Sequence, residues 1–289
     1  MKYSYYPGCS LEGSAQEYDR ATRSLMKALK VELTDIPDWS CCGATAAHAV
    51  DSLLALALPA RNLALAQEME GSRDILVPCS ACYLNLKQVA EKIRLDGDLK
   101  AQLNTILAEE ELQLQNPPRV RHLLDVLATD ITAAKIGAAR RQNLAGLTIA
   151  PYYGCQCLRP YAVFDDPEAP HSMEPLIGAT GARIHPWEMG GKCCGAGHMN
   201  TKPEVGMTLV AAILEAARGA DAIVTVCPMC QLNLEAFQKR ISRRMKRNYE
   251  ITILYLPQLL GVALGVAKEE LGLNLNLALT REFKARIAA

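Results

Sequence analysis

The chain has 289 residues, half of them hydrophobic and 21% charged, with a formal net charge of zero. That length allows one large core or two domains of ordinary size, and the balanced charge removes the electrostatic case for nucleic acid or an acidic membrane surface as a partner. The first residues run from Lys2 through Tyr3, Tyr5, Pro7 and Gly8 to Cys9 with no apolar h-region, so no export signal is expected.

In chain order, Lys2 to Tyr6 predicts a short aromatic strand, and Ser14 with Glu17 a capping box ahead of a helix ending near Lys30. Val31 to Ile36 predicts a strand, and Ala44 to Met69 a largely helical stretch interrupted or kinked at Pro59. Asp74 to Val77 reads as a buried strand and Ser80 to Arg94 as a helix, while residues 95–146, without cysteine, read as helical linker or packing material. The second half predicts strand Leu147 to Tyr153, a helix around Glu174 to Gly178, strand Arg183 to Pro186 and a helix over Glu204 to Arg218. Strand Ala222 to Val226 and a helix from Pro228 to Arg244 follow. The longest uncharged run, Ile251 to Ala267, is short for a bilayer span and contains Pro257, Gln258 and two glycines. It reads as a buried strand, a turn and the start of a helix, with no membrane insertion. The alternation predicts an α/β fold of two pseudo-symmetric repeats, residues 1–146 and 147–289, each with a small parallel sheet flanked by helices.

The cysteines carry the same duplication. Cys9 stands alone, Cys41 and Cys42 form a doublet before Gly43, and Cys79 and Cys82 close a C-x-x-C. Cys155 stands alone, Cys193 and Cys194 precede Gly195, and Cys227 and Cys230 close a second C-x-x-C. The gaps are 31 and 36 residues in the first copy and 37 and 32 in the second, and equivalent cysteines lie 146 to 152 positions apart. Neighbouring residues repeat too: Leu84-Asn85-Leu86 echoes Leu232-Asn233-Leu234. Cys9, Cys79, Cys155 and Cys227 each fall at the carboxyl end of a predicted strand, the edge where open α/β sheets bind ligands. Both C-x-x-C motifs open helices, whose N-termini favour the thiolate. Without an export signal these thiols are expected to meet a reducing cytoplasm, where metal binding or redox chemistry is favoured over disulfides, as an odd total of eleven also indicates.

Three metal readings follow. Tetrahedral zinc needs four ligands and leaves the doublets and lone cysteines without a role. An ordinary cubane cluster also uses four thiolates, commonly in a compact spacing that is absent here. Five thiolates per copy suit a cluster bound differently, with one cysteine bridging two irons. Buried, inert cysteines are the plain structural alternative.

The pattern of one cysteine, a Cys-Cys-Gly doublet and a terminal C-x-x-C resembles the cysteine-rich CCG domain. Two such copies, with Pro78-Cys79-Ser80-Ala81-Cys82-Tyr83-Leu84-Asn85-Leu86 and Gly154-Cys155-Gln156-Cys157-Leu158-Arg159-Pro160, resemble the B-type subunit of heterodisulfide reductase over nearly the whole chain. That resemblance implies two noncubane 4Fe-4S clusters. By position, Cys9, Cys41, Cys42, Cys79 and Cys82 hold one, and Cys155, Cys193, Cys194, Cys227 and Cys230 the other. Cys157 stands where the resemblance expects another residue type; an alternative ligand, a thiol beside the ligands and a passive small hydrophobe are its possible roles, the passive one favoured.

The implied activity is reduction of a small disulfide, such as the coenzyme M–coenzyme B heterodisulfide or a bacterial equivalent. Two electrons are needed and a cluster passes one, so two clusters facing one cavity between the repeats suit the reaction. The chain has no flavin or nicotinamide fingerprint, and the resemblance implies a ferredoxin-like C-type subunit of heterodisulfide reductase, fed by a flavin-containing A-type subunit. The basic run Lys239, Arg240, Arg243, Arg244, Lys246 and Arg247 is either a dock for such a partner or a solvated helix face. His48 and His198 follow their doublets and are the candidate proton donors, with a hydrogen-bonded structural role as the plainer reading. Lys192 precedes its doublet as a charge that tunes the cluster or as a solvated side chain, and Trp39 and Trp187 are expected as packing that excludes water. An electron relay inside a larger dehydrogenase, and thiol or sulfur oxidation in the reverse direction, are the alternatives.

Overall fold

A computed structural model of the chain describes residues 1–44, 46–71 and 73–288. Its first half begins with β1 (Lys2–Tyr5), α1 (Gly8–Glu12), α2 (Gln16–Ala28) and β2 (Glu32–Asp35), followed by α3 (Ala47–Val50), α4 (Leu54–Glu68) and β3 (Ile75–Val77). Next come α5 (Ser80–Leu95), α6 (Gly97–Leu107), β4 (Val120–His122), α7 (Leu123–Val126) and α8 (Thr132–Ala139). The second half contains β5 (Thr148–Tyr152), α9 (Glu174–Ala179), β6 (Arg183–Ile184), α10 (Pro203–Ala216), β7 (Ala222–Thr225) and α11 (Pro228–Ala236). It closes with α12 (Gln238–Met245), β8 (Thr252–Tyr255), α13 (Leu256–Ala263) and α14 (Arg281–Arg286).

Two four-stranded sheets form, in the orders β2-β1-β3-β4 and β6-β5-β7-β8. Every pairing is parallel; Ser4 sits opposite Ile75 in one sheet and Ile149 opposite Ala222 in the other. The two orders are the same arrangement, as the duplicated cysteine pattern predicts. The central strands β3 and β7 are buried throughout, which explains why they read as continuous apolar runs instead of alternating ones. Among the described residues no helix is long and apolar enough to cross a membrane.

The two sheets do not keep separate cores. One apolar cluster runs from Tyr5 and Leu25 of the first half to Val226, Leu259 and Phe283 of the second, while a smaller one lies under α10 and α11. The join is made by α13 packing on α2 and α8 packing on α9.

Four expectations are corrected. Residues 95–146 are no mere helical linker: Val120–His122 adds β4 to the first sheet, paired with β3 from Ile75↔Val120 to Val77↔His122. The Ser14–Glu17 box does not form, because the α2 N-cap is Ala15. That places Glu17 at the second helical position instead of the third, out of register with Ser14. The break in the 44–69 stretch falls at Asp51, not Pro59. Asp51 is extended and its carboxylate accepts the Leu54 N–H at 2.7 Å, restarting the chain as α4, which continues through Pro59. Finally, the helix expected over 228–244 is two helices, parted at Phe237.

Candidate functional site

In each half the thiols gather beyond the carboxyl ends of the central strands. Cys79 and Cys227 occupy the N-cap positions of α5 and α11 with extended backbones, so the next cysteine of each C-x-x-C falls in the first helical turn. Cys9 lies in α1 just after β1, and both doublets lie on irregular loops after β2 and β6. Cys41 Sγ stands 3.7 Å from Cys9 Sγ, and Cys42 Sγ 3.4 Å from Cys82 Sγ. In the second half Cys155 meets Cys193, and Cys230 meets both Cys194 and Cys227. Cys42, Cys79, Cys82, Cys194, Cys227 and Cys230 are buried, Cys155 is half-buried, and Cys9, Cys41 and Cys193 are exposed. Each set therefore has a buried floor and an open outer edge.

Glycine keeps the floor open. Gly8 and Gly154 have φ of +73° and +72°, and a Cβ at either would lie 2.7 Å from Cys82 Sγ or 2.9 Å from Cys230 Sγ. The backbone of Gly43 donates to Cys41 Sγ at 3.4 Å and that of Gly195 to Cys193 Sγ at 3.3 Å, the same contact twice.

The thiols within each set ionise unequally. The Cys82 thiol beside it makes Cys42 a stronger acid, and Cys82 itself is pushed well above the ordinary range; Cys194 and Cys230 repeat the arrangement. Cys227 is lowered to about 7, first by its hydrogen bond with Cys230, whereas burial raises Cys155 to about 12. Several thiolates in one dry pocket repel each other, so full ionisation of such a set calls for cationic centres inside it. Among the described residues no three His, Cys, Asp or Glu side chains are arranged to hold a single metal ion. A cluster, whose irons stand apart, does not require convergence on one point.

The two sets are joined through the backbone just before each C-x-x-C. The Tyr18 hydroxyl lies 3.1 Å from the carbonyl of Pro78 and 3.1 Å from that of Val226, one proton between two acceptors from different halves. Ser80 donates to the same Val226 carbonyl at 3.1 Å and lies 3.2 Å from His122 Nε2. His122 Nδ1 accepts the Leu124 N–H at 3.1 Å, which puts the ring proton on Nε2, facing Ser80. Burial lowers His122 to about 4, so the imidazole is neutral at physiological pH. No sequence signal marks His122: it ends a three-residue strand on an edge that periodicity is too short to register.

His48 on α3 and His198 on a short turn after the second doublet are both exposed. Lys192 is exposed, and its backbone carbonyl accepts from Tyr152. Trp39 packs edge-on against Tyr6, and Trp187 donates to the Pro151 carbonyl at 3.0 Å. Cys157 is buried and donates to the Tyr153 carbonyl at 3.2 Å, and burial keeps its thiol protonated. Of the basic run, Lys239, Arg240, Arg243, Arg244, Lys246 and Arg247 are all exposed, and Arg247 pairs with Glu215 at 2.7 Å.

Compared with known proteins, the chain matches the model of the CCG family, described as a cysteine-rich domain, over residues 3–87 and again over 149–235. It is 35% identical over 280 residues to the 8-methylmenaquinol:fumarate reductase membrane anchor subunit of Wolinella succinogenes, with 96% of each chain covered. It is 32% identical over 295 residues to the B-type subunit of the ferredoxin/F(420)H(2)-dependent CoB-CoM heterodisulfide reductase of Methanosarcina acetivorans, covering 99% of this chain and 97% of that one. Among solved structures, a hypothetical protein from Helicobacter pylori superposes with a TM-score of 0.77 at 14% identity over 97% of this chain. The present chain spans 52% of that protein, and at this identity the likeness is one of fold.

Proposed function

Because the chain belongs to the cysteine-rich CCG family, whose domain it carries twice, we propose that it is the B-type subunit of a heterodisulfide reductase-like complex. Residues 1–146 and 147–289 each carry one centre in this reading. Cys9, Cys41, Cys42, Cys79 and Cys82 hold one noncubane 4Fe-4S cluster, and Cys155, Cys193, Cys194, Cys227 and Cys230 the other. The observation that carries the reading is the twofold gathering of five thiols at equivalent sheet edges, with Gly8 and Gly154 leaving room beside Cys82 and Cys230. The donor set is soft and rich in charge, as iron–sulfur ligation requires. When bound, such clusters would supply one-electron transfer and irons with affinity for sulfur.

The chain's own residues do the rest. The buried floor cysteines shield the inner side from water, whereas exposed Cys9, Cys41 and Cys193 leave the outer side accessible to a small disulfide. Tyr18 and Ser80 fix the two C-x-x-C turns against each other, so two sulfurs from one disulfide meet sites of set separation. His48 and His198, exposed after their doublets, are the candidates to protonate departing thiolates. A ferredoxin-like C-type subunit and a flavin-containing A-type subunit deliver the electrons in this reading, in a reducing cytoplasmic setting.

The deciding experiment is metal analysis and electron paramagnetic resonance on anaerobically purified protein, before and after adding candidate thiols under oxidising conditions. About eight irons per chain and a new thiol-dependent signal are expected; zinc without iron overturns the reading. Full iron loading with no response to any thiol favours a second reading, an electron relay within a larger reductase. The 35% identity to a component of a fumarate reductase is the observation behind it.

A further inference from the structure

The doublet loops have no regular secondary structure to hold them, so side chains must. Both loops are gripped at the same two points. Ahead of the doublet, the Tyr6 hydroxyl donates to the Ser40 carbonyl and the Tyr152 hydroxyl to the Lys192 carbonyl, each at 2.7 Å. At the second cysteine, the Asn85 amide donates to the Cys42 carbonyl at 3.0 Å and the Asn233 amide to the Cys194 carbonyl at 2.7 Å. Both asparagines are buried, at 9% and 4% exposure, so each bond replaces one that water cannot supply.

The spacing explains how one residue type performs this twice. Asn85 lies three positions after Cys82 on α5, and Asn233 three after Cys230 on α11, so each motif extends to C-x-x-C-x-x-N. Residues three apart share a helix face, and the amide therefore reaches the doublet over the shoulder of the cysteine that also touches it. Cys42 Sγ is 3.4 Å from Cys82 Sγ and 3.9 Å from Asn85 Nδ2. Asparagine closes a ring made of one helical turn, one doublet cysteine and the last cysteine of the set.

The two halves differ in one respect. In the first, Asn62 on α4 also grips the loop: its Oδ1 accepts the Ser40 N–H at 2.8 Å and its Nδ2 donates to the Ser40 carbonyl at 3.0 Å. In the second, α10 contains neither asparagine nor glutamine to take that place.

We propose that Asn85 and Asn233 are positioning residues for the two thiol sets, each fixing the second doublet cysteine, and that the second set depends on its asparagine more than the first does. This rests on the cluster reading for its functional meaning, but the positioning itself is testable without it. The variants are Asn85→Ala and Asn233→Ala, with the near-isosteric Asn85→Asp and Asn233→Asp in case the smaller side chain disturbs folding.

With anaerobically purified full-length chain, each substitution is expected to alter the paramagnetic signal and midpoint potential of one centre and leave the other as in the parent. Iron loss is expected to be greater for Asn233→Ala than for Asn85→Ala, and Asn62→Ala with Asn85→Ala is expected to bring the first centre to a similar loss. Equal disturbance of both signals, or none in either variant with circular dichroism unchanged, overturns the proposal. If the parent binds no iron, the cluster reading fails by that result alone. The positioning is then read from alkylation of individual thiols by iodoacetamide, followed by mass spectrometry. A several-fold faster labelling of Cys42 in Asn85→Asp, and of Cys194 in Asn233→Asp, supports it; parent-like labelling overturns it.

Discussion

The rings of Tyr18 and Tyr255 stack at 4.0 Å between centroids and 4° between planes, one tyrosine from α2 in the first half and one from the end of β8 in the second. Both side chains are buried, and the Tyr18 hydroxyl continues the contact to the carbonyls of Pro78 and Val226. One residue thus fastens the two halves twice, by apolar area and by a shared proton. Tyr18→Phe keeps the stack and takes the hydroxyl from the Pro78 carbonyl, while Ser80 still donates to that of Val226, so a loss of about 1–3 kcal/mol is expected. Tyr18→Ala removes the ring as well and is expected to cost about 3–5 kcal/mol. Urea denaturation of both variants against the parent checks the order; equal losses place the stabilisation in the hydroxyl alone.

Gly8→Ala and Gly154→Ala test the room kept beside the thiols. Each forces alanine into the left-handed region, at about 1–2 kcal/mol, and sets a methyl against the sulfur of Cys82 or Cys230. Lower iron content per chain is expected for each variant, with the spectroscopic change confined to its own half. A Gly8→Ala protein with parent iron content and spectrum shows that the floor is less tight than these distances imply.

Arg121 on β4 is buried and pairs with Asp125 through bonds of 2.8 Å and with Asp130 at 2.7 Å, while Tyr3 also donates to Asp130. Its removal leaves acidic groups without their counter-charge, Asp125 among them buried. Arg121→Met is therefore expected to cost about 3–5 kcal/mol, measured as a shift in denaturation midpoint. A cost under about 1 kcal/mol, the range of exposed pairs, shows that solvent reaches the network.

Glu235 on α11 is 8% exposed, and burial raises its carboxyl from 4.5 to about 7, with Glu17 adding to the rise and the Ala278 and Leu277 amides opposing it. The folded state therefore holds this proton more tightly than the unfolded chain does. Its contribution to stability is complete below about pH 4.5 and is lost as the pH rises through about 7. Glu235→Gln is expected to remove this dependence and to gain about 1–3 kcal/mol relative to the parent at pH 8. Denaturation midpoints of both proteins at pH 5 and pH 8 check it; parallel pH dependences exclude Glu235 as the source.

Much of this was legible in residue spacing. Cysteine gaps that repeat at domain length announced the duplication, and apolar runs such as Ile75–Val77 and Ala222–Thr225 marked the central strands, since a strand buried on both faces has nothing polar to alternate with. The duplicated Leu-Asn-Leu was visible too, but not its purpose, because an asparagine's partner is set by which loop lies over the helix. Short elements escaped detection: Val120–His122 pairs along only three residues, and its hydrogen bonds to β3 come from chain distant in sequence. Ser14 and Glu17 had the composition of a capping box, yet α2 starts one residue late, with buried Glu17 packed against Gly272.

Spacing along the chain carries the parallel architecture, every strand of the two sheets but Val120–His122, and the duplicated cysteine pattern, because periodicity, turn chemistry and strand-to-helix order are local properties. Folding brings the segments just before the two C-x-x-C motifs to one hydroxyl, that of Tyr18. Tyr18, Ser80, His122 and Val226 come from separate elements: Ser80 meets His122 where α5 packs on β4 within the first half, and Tyr18 and Ser80 meet Val226 across the halves, which α13 packed on α2 helps to join. A hydroxyl buried between two carbonyls has no pattern along the chain, since its partners are chosen by the close packing of surfaces that the sequence places far apart.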